Sequence, residues 1–257
     1  MKAAEKTSLA DFIDLCADVI HTGYRSQQKS YNFTDDPAPE ITSPNLVLED
    51  ISLRSDKSKN EEEKTAEFPD SLEIISDEIK SCTACSLCKT RKNAVPGEGA
   101  EQPEVMVIGE GPGADEDTTG RPFVGRAGQL LDKMLAAIDL SRTSNCFIAN
   151  VIKCRPPGNR DPRPEETTAC ASFLERQILL LKPKIILSAG RISAQTLLKT
   201  QETTGKLRGN IGKIRVGDTI IPLIVTYHPS ALLRNEEYKR PAWEDLKMLR
   251  GWLTEGT

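Results

Sequence analysis

Residues 105–125, VMVIGEGPGADEDTTGRPFVG, decide the fold class and locate a pocket. The stretch begins with VMVI, a short apolar run rich in β-branched side chains, which is typical of a buried strand. The run ends at GEGPG, where the glycines let the backbone turn and approach a ligand closely. Acidic residues, threonines and GRPFVG follow. This order predicts a buried strand of an α/β protein that opens into a pocket at its carboxyl end.

Strands and helices are predicted to alternate along the rest of the body. Further short strands are predicted at residues 145–153, 184–188 and 221–227, and a small hairpin at residues 214–221. Helices are predicted at residues 72–79, 128–140, 165–181, 192–199 and 243–253. Alternation of this kind predicts a parallel sheet with helices on both faces.

The amino-terminal part differs from the rest in charge and composition. Residues 1–70 hold 8 basic and 15 acidic residues, whereas the remainder holds 26 and 23. Residues 26–70 are poor in apolar side chains, which predicts a disordered linker. Residues 7–20 predict a short amphipathic helix that either docks a protein partner or packs on its own body. We therefore expect an acidic extension, residues 1–70, and a globular domain, residues 71–257, whose mildly basic charge is compatible with a polyanionic ligand.

The expected compartment of the protein bears on the role of its cysteines. No apolar run approaches the roughly 18 residues that span a bilayer, and the amino terminus lacks a secretory pattern, so we expect a cytoplasmic protein. Seven cysteines in such a protein indicate metal binding or catalysis rather than disulfides. The pairs Cys82-x2-Cys85 and Cys154-x15-Cys170 would suit either a tetrahedral zinc ion or an iron–sulfur cluster.

The remaining cysteines have other interpretations. Cys88 extends the first pair to C-x2-C-x2-C, the opening of a bacterial ferredoxin run. The fourth cysteine of such a run would stand at position 92, which is Lys92 in this chain. Further ligands must therefore come from elsewhere in the chain. Cys16 and Cys146 are predicted to be free thiols, since Cys146 lies inside a strand, where cysteine behaves as a small hydrophobic residue.

Polar side chains follow three of the predicted strands. Asn150 interrupts an apolar strand and is either a structural bridge or a ligand reader, since its donor and acceptor match a base edge. His228 follows a buried strand and either faces a cleft or bonds the backbone as a cap. Phe123 lies either in the core or in the pocket. The glycine loop fits a loose dinucleotide pattern, but the acids at residues 115–117 lie where a pyrophosphate would bind, which argues against that ligand.

Three motifs together resemble one protein family. GEGPGADEDTTGRPFVG, NVIKCRPPGNRDPRPEE with Cys170 beyond it, and HPSALLR look like the family 4 uracil-DNA glycosylases, thermostable-type enzymes with an iron–sulfur cluster. The resemblance covers roughly residues 81–253. It implies a three-layer α/β/α fold with a four-stranded parallel sheet. It also implies a [4Fe-4S] cluster held by Cys82, Cys85, Cys154 and Cys170, with Cys88 as a spare thiol.

The resemblance implies a pocket for a flipped uracil. Phe123 would stack on the ring, Asn150 would read its N3 and O4 edge, and the backbone at Glu110 and Gly111 would contact it. His228 would donate a hydrogen bond to O2, where negative charge develops as the base leaves.

Further roles are implied for residues around this pocket. Glu116 would position water or support the cationic sugar, and its alternatives are to crowd a thymine methyl or to cap the loop. Two leucines would wedge into the duplex. Arginines would contact phosphates. The wedge residues are Leu232 and Leu233, and the phosphate contacts are Arg155, Arg160 and Arg234.

The expected activity is that of a monomeric DNA repair glycosylase that releases uracil from single- or double-stranded DNA and leaves an abasic site. In this expectation the cluster has a structural role. Two alternatives use the same cysteines. One is a non-catalytic iron–sulfur accessory protein of a DNA polymerase that binds nucleic acid, and the other is an iron–sulfur electron carrier.

Overall fold

The computed structural model describes residues 70–255, which form a mixed six-stranded sheet with helices on both faces. The strands are β1 (Glu98–Gly99), β2 (Val105–Gly109), β3 (Cys146–Asn150), β4 (Ile185–Ala189), β5 (Ile211–Val216) and β6 (Thr219–Thr226). They lie in the order β1-β3-β2-β4-β6-β5. The four central strands are parallel, and β1 and β5 pair antiparallel at the two edges. The α/β class is therefore confirmed.

The predicted sheet had four parallel strands and did not include the two antiparallel edge strands, β1 and β5. β1 is only two residues long, which is too short to give a sequence pattern. β5 alternates exposed and buried residues, as antiparallel edge strands do. It joins β6 through the turn at Gly217, where φ is 56°, so the predicted hairpin is confirmed.

The helices have the following bounds. They are α1 (Leu72–Ser81), α2 (Ala114–Thr119), α3 (Arg126–Ala136), α4 (Pro164–Leu181), α5 (Arg191–Leu198), α6 (Thr204–Leu207), α7 (Pro229–Arg234) and α8 (Lys239–Glu255), with 3-10 helices at Ser86–Lys89, Pro157–Asn159 and Glu236–Tyr238. Helix α2 forms in a segment for which the sequence predicted no helix. Its three acids lie in the first turn, where the helix dipole favours negative charge, and Gly120 ends it in the left-handed region.

The sheet separates two apolar layers. Successive side chains of β2 alternate between them: Val105 and Val107 pack with α3, α7 and α8, whereas Met106 and Ile108 pack with α1 and α4. Strands buried on both faces explain the unbroken apolar runs in the sequence. Cys146 is fully buried in the first layer, as predicted for a small hydrophobic residue, and burial raises the pKa of its thiol to about 12.

Some predictions concern residues that lie outside the described range. The helix at residues 7–20, the linker at residues 26–70 and Cys16 belong to this group. Within residues 70–255, the apolar length that a helix needs to cross a membrane is not reached anywhere.

Candidate active site

A cleft lies beyond the carboxyl ends of the four parallel strands. The strand ends lie side by side, with Gly109 paired with Asn150 and Ala189 with Thr226. Polar segments that follow these strands therefore meet at one edge of the sheet, the usual ligand position in open α/β folds. The predicted site residues that line the cleft are Glu110, Gly111, Glu116, Phe123, Asn150, Arg160, His228 and Arg234.

The floor of the cleft depends on a close approach between Gly109 and two side chains. A Cβ atom on Gly109 would lie 2.5 Å from Asn150 Oδ1 and 2.6 Å from Phe123 Cζ, so only glycine fits there. Phe123 has a φ of 50°, and Arg142 holds its loop by donating to the carbonyls of Pro122 and Phe123 at 2.9 Å. Phe123 is 5% exposed, and it contributes both to the core and to the cleft.

Asn150 presents an unsatisfied acceptor at this floor. Its side chain is 1% exposed, and its Oδ1 atom accepts no hydrogen bond. Buried polar atoms are almost always paired, because an unpaired one costs about 1–3 kcal/mol. A ligand that donates an N–H group to Oδ1 would remove this cost.

His228 combines the two roles that the sequence left open. Its Nδ1 accepts a hydrogen bond from the backbone N–H of Ser230 at 3.1 Å and so caps α7. A neutral ring whose Nδ1 is an acceptor carries its proton on Nε2, which leaves Nε2–H as a donor. Burial, with a contribution from the nearby charge of Arg234, lowers the pKa of His228 to about 4. The ring is therefore neutral near pH 7, and it lies 5.5 Å from the Phe123 ring.

Two carboxylates on the cleft wall differ in environment. Glu116 accepts hydrogen bonds from the backbone N–H groups of Gly113, Val124 and Gly125 at 2.8–3.0 Å, which ties the glycine loop to the loop of Phe123. This geometry favours the capping role among the alternatives for Glu116. Burial and the charge of Asp161 raise the pKa of Glu110 to about 7.

Arg160, predicted to contact a phosphate, has a partner within the protein. Both of its terminal nitrogens donate to the carboxylate of Glu166, at 2.8 and 2.6 Å, and Glu166 is fully buried. Glu166 also accepts from the backbone N–H of Arg163 at the start of α4. Because a buried carboxylate needs its counter-charge, Arg160 fixes the proline-rich loop against α4.

Replacing Glu166 by glutamine should destabilise the protein by about 2 kcal/mol at pH 7, the scale of hydrogen bonds to charged groups. Arg160 lowers the pKa of Glu166 to about 2. The stabilisation is therefore complete above the unfolded pKa of about 4.5 and is lost as pH falls towards 2. Urea unfolding of E166Q and wild type should give free energies that converge as the pH falls from about 4.5 to about 2. The control is E165Q, because Glu165 is exposed. Equal losses of stability in the two variants would contradict the stabilising role of the ion pair between Arg160 and Glu166.

The predicted DNA wedge is half corrected. Leu232 is fully buried in the core layer formed with α3 and α8, so it cannot enter a duplex. Leu233 is partly buried beside it, and Arg234 is exposed at the rim of the cleft. Arg155 lies outside the cleft lining, and its Nε donates to Asn159 Oδ1 at 2.7 Å.

A second cavity gathers the cysteines. Cys82, Cys85, Cys88, Cys154 and Cys170 line one cavity between α1, the end of β3 and α4. Three of these thiols are partly exposed and precede β1 in the chain, whereas Cys154 and Cys170 are buried. Burial is the main reason why the pKa of Cys170 is raised to about 11.

The cysteine cavity is lined by donors that suit a thiolate-bound metal centre. Five cysteines reach it, and four of them are the residues that the sequence pairs as ligands. Arg91 donates to Cys154 Sγ at 3.0 Å, so a cation already lies beside one of these sulfur atoms. The residues present therefore fit either of the two centres that the spacing left open, a zinc ion or an iron–sulfur cluster.

Sequence reasoning missed the residues that support these cavities. Lys153 is 1% exposed, and its Nζ donates to the backbone oxygen of Asn150 at 3.0 Å and to Gln177 Oε1 at 2.7 Å. Lys153 also lines the cysteine cavity, so one side chain contacts both regions. The available signal for Lys153 was a charged residue in the apolar run predicted as the strand 145–153. Nothing in the sequence indicated the role of Arg91.

Comparison with known proteins shows the family of this chain. The model of the uracil DNA glycosylase superfamily matches residues 96–247. Over 186 residues the chain is 44% identical to a type-4 uracil-DNA glycosylase of Saccharolobus solfataricus, covering 70% of this chain and 86% of that protein. Type-4 enzymes of Pyrobaculum aerophilum and Thermotoga maritima are 45% and 42% identical, with 93% and 94% of their lengths covered. The chain thus belongs to the uracil-DNA glycosylase superfamily and, within it, to the type-4 enzymes.

Proposed function

We propose that the cleft binds a uracil base flipped out of DNA and that the enzyme hydrolyses the bond between this base and its deoxyribose. Excision of uracil from DNA is the activity that the type-4 relatives carry in their names. The observation that carries the proposal for the cleft is the unsatisfied Oδ1 of Asn150 at its floor. Uracil has an N3–H donor, whereas cytosine has an acceptor at N3, so this atom favours uracil over the normal base.

Recognition of the base combines this hydrogen bond with contacts to apolar and backbone groups. Phe123 provides a ring on which a flipped base stacks, since aromatic stacking is worth about 1–3 kcal/mol for each base. Glu110 and Gly111 bring their backbone to the same cleft. A Cβ on Gly111 would lie 2.7 Å from Ile152 Cγ1, which explains why glycine is needed at this position of the loop.

Bond cleavage leaves an electron pair on the departing base. The pair of the C1′–N1 bond passes to the ring, and the charge is shared with O2. His228 donates its Nε2–H to O2, and it can do so near pH 7 because burial keeps the ring neutral and Nδ1 is held by Ser230. Water adds to C1′ and loses a proton, and the departing uracil anion takes up a proton, which gives the abasic sugar and free uracil. Glu116 positions the loops that carry Phe123 and Gly113.

DNA is held along the rim of the cleft. Arg234 is exposed there and contacts a phosphate, and Arg155 provides a second positive charge. Leu233 remains the residue that we propose as the wedge. The enzyme acts as a cytoplasmic monomer, with residues 71–257 as its catalytic domain and residues 1–70 as an extension whose segment 7–20 contacts a protein partner.

A [4Fe-4S] cluster occupies the cysteine cavity in this proposal, with Cys82, Cys85, Cys154 and Cys170 as ligands. The cluster supplies a rigid covalent tie among three segments of the chain rather than a reaction step. Arg91 supports it through the hydrogen bond to Cys154 Sγ. The surface formed by the proline-rich loop after β3 is thereby held next to the cleft.

Protein purified without oxygen should be brown, with iron and sulfide in equal amounts and absorbance near ~400 nm, as thiolate-bound iron clusters show. Metal analysis and the visible spectrum check this result. Cys154→Ser should lose the iron, whereas the control Cys146→Ser should keep it, because Cys146 lies in the other core layer. A colourless wild-type protein with one zinc ion would refute the cluster.

Incubation with an oligonucleotide that contains one uracil should give free uracil and an abasic site, whereas cytosine and thymine oligonucleotides should remain intact. Single- and double-stranded substrates are compared, and the abasic site is detected by alkaline cleavage. DNA binding without base release would instead support the accessory protein. Reversible reduction of the cluster at physiological potentials without base release would support the electron carrier.

A further inference from the structure

The cysteine cavity holds one more thiol than a four-iron cluster binds. Cys88 lines the same cavity as the four proposed ligands. It belongs to the 3-10 helix Ser86–Lys89, which Cys85 precedes directly as the cap, and its backbone N–H donates to Cys85 O at 3.3 Å. Side chains three residues apart lie on the same face of a 3-10 helix, so Cys85 and Cys88 face the cavity together. Leu87 is 1% exposed and anchors this helix in the core.

The five thiols differ in how firmly the fold holds them. Cys154 and Cys170 are 4% and 3% exposed, at the end of β3 and within α4, where no neighbouring thiol follows in sequence. Cys82, Cys85 and Cys88 are partly exposed and form the outer wall, each three residues after the last. Only ligands of the outer wall can therefore be exchanged without moving the sheet.

Arg91 indicates which outer ligand lies near Cys88. Its guanidinium donates to Cys154 Sγ and to the backbone oxygen of Cys82, and Arg91 follows Cys88 by only three residues. Cys82 and Cys88 therefore both lie near Arg91. Cys85, by contrast, packs against the core layer that contains both buried thiols, Cys154 and Cys170.

We propose that Cys88 is a reserve ligand that replaces Cys82 on the cluster when Cys82 is lost or chemically blocked. The inference rests on the proposed cluster. In the exchange, the Cys88 thiol releases its proton to solvent as its sulfur binds the iron that Cys82 no longer holds, and a blocked Cys82 sulfur keeps its blocking group. No oxidation state changes. The enzyme thereby keeps its cluster, and the loops fixed by it, after damage to a solvent-facing ligand.

The test compares C82S, C88S, C82S/C88S and C154S, all purified without oxygen. Iron and sulfide per chain, absorbance near ~400 nm and the electron paramagnetic resonance signal after reduction are measured. C82S and C88S should keep nearly the full wild-type iron content, whereas C82S/C88S should lose it severalfold. C154S should lose its iron although Cys88 is present, because no other thiol can replace the buried ligand Cys154. Equal iron content in C82S and C82S/C88S would overturn the proposal.

Alkylation gives a second result that does not depend on cluster yield in the double variant. In the wild-type protein with its cluster, iodoacetamide followed by peptide mass spectrometry should label Cys88 and spare Cys82. In C82S the label on Cys88 should fall severalfold, because its sulfur is now bound to iron. Unchanged labelling of Cys88 in C82S would overturn the proposal. Wild-type protein without iron would instead refute the cluster itself, along with any reserve ligand for it.

Discussion

Replacing His228 by alanine should lower the single-turnover rate of uracil release by about 10²–10³-fold, the cost of losing one donor aimed at developing charge. The expected loss is in the rate constant of bond cleavage, while the affinity for uracil-containing DNA changes little. Charge on O2 grows only as the C1′–N1 bond breaks, so the hydrogen bond matters most in the transition state. Rapid-quench assays at saturating enzyme separate these two quantities.

The cap that His228 provides to α7 requires a control. His228→Asn keeps an acceptor for the Ser230 N–H, because asparagine is a good helix cap, but it removes the imidazole donor. We expect H228N to unfold at a temperature close to that of wild type and to be nearly as slow as H228A. Wild-type rates in H228N would show that His228 acts only as a cap.

The pH dependence of the wild-type rate follows from the same environment. Burial lowers the pKa of His228 to about 4, so its ring stays neutral between pH 6 and pH 8 and contributes no inflection there. Nitrogen NMR should show one neutral tautomer with the proton on Nε2 throughout this range. The chain has two histidines, so His21→Gln leaves a single imidazole to observe. Titration of His228 near pH 6.5 would contradict the buried neutral donor.

Much of the site could be predicted because its residues follow strands whose patterns are local. The apolar run before GEGPG, the lone asparagine in β3 and the histidine after β6 each identify a strand end. Parallel strands present those ends at one edge of the sheet. Asn150 and His228 could therefore be placed in one cleft before any contact was known.

The rest depended on contacts between segments far apart in sequence. Leu232 and Leu233 are equivalent by composition, but a helix turns about 100° for each residue, and the packing of α7 on α3 decides which of them is buried. In the sequence Arg160 is one of several arginines without an evident partner, and only the structure shows its ion pair with the buried Glu166. Lys153 gave a signal, but its partner Gln177 lies 24 residues further along the chain. Such pairings leave no period in the sequence.

Replacing Asn150 by alanine should reduce the rate of uracil release about a hundredfold. A hydrogen bond to a group that becomes charged is worth about 1.5–3 kcal/mol, and uracil N3–H would lose its acceptor while its ring gains negative charge. Free uracil should inhibit the wild-type enzyme and not N150A, since the base no longer finds a partner at the floor. Inhibition constants and single-turnover rates are the measurements.

The fold should survive this substitution, because Lys153 binds the backbone oxygen of Asn150 and not its side chain. Removing an unsatisfied buried oxygen also offsets part of the cost of the small cavity that alanine leaves. The control is Asn210→Ala, because this asparagine is exposed and lies outside the cleft lining. We expect N210A to stay within about threefold of wild type, less than one neutral hydrogen bond. If N150A and N210A were equally active, the acceptor at the floor would not read the base, and the discrimination between uracil and cytosine would have to arise elsewhere in the cleft.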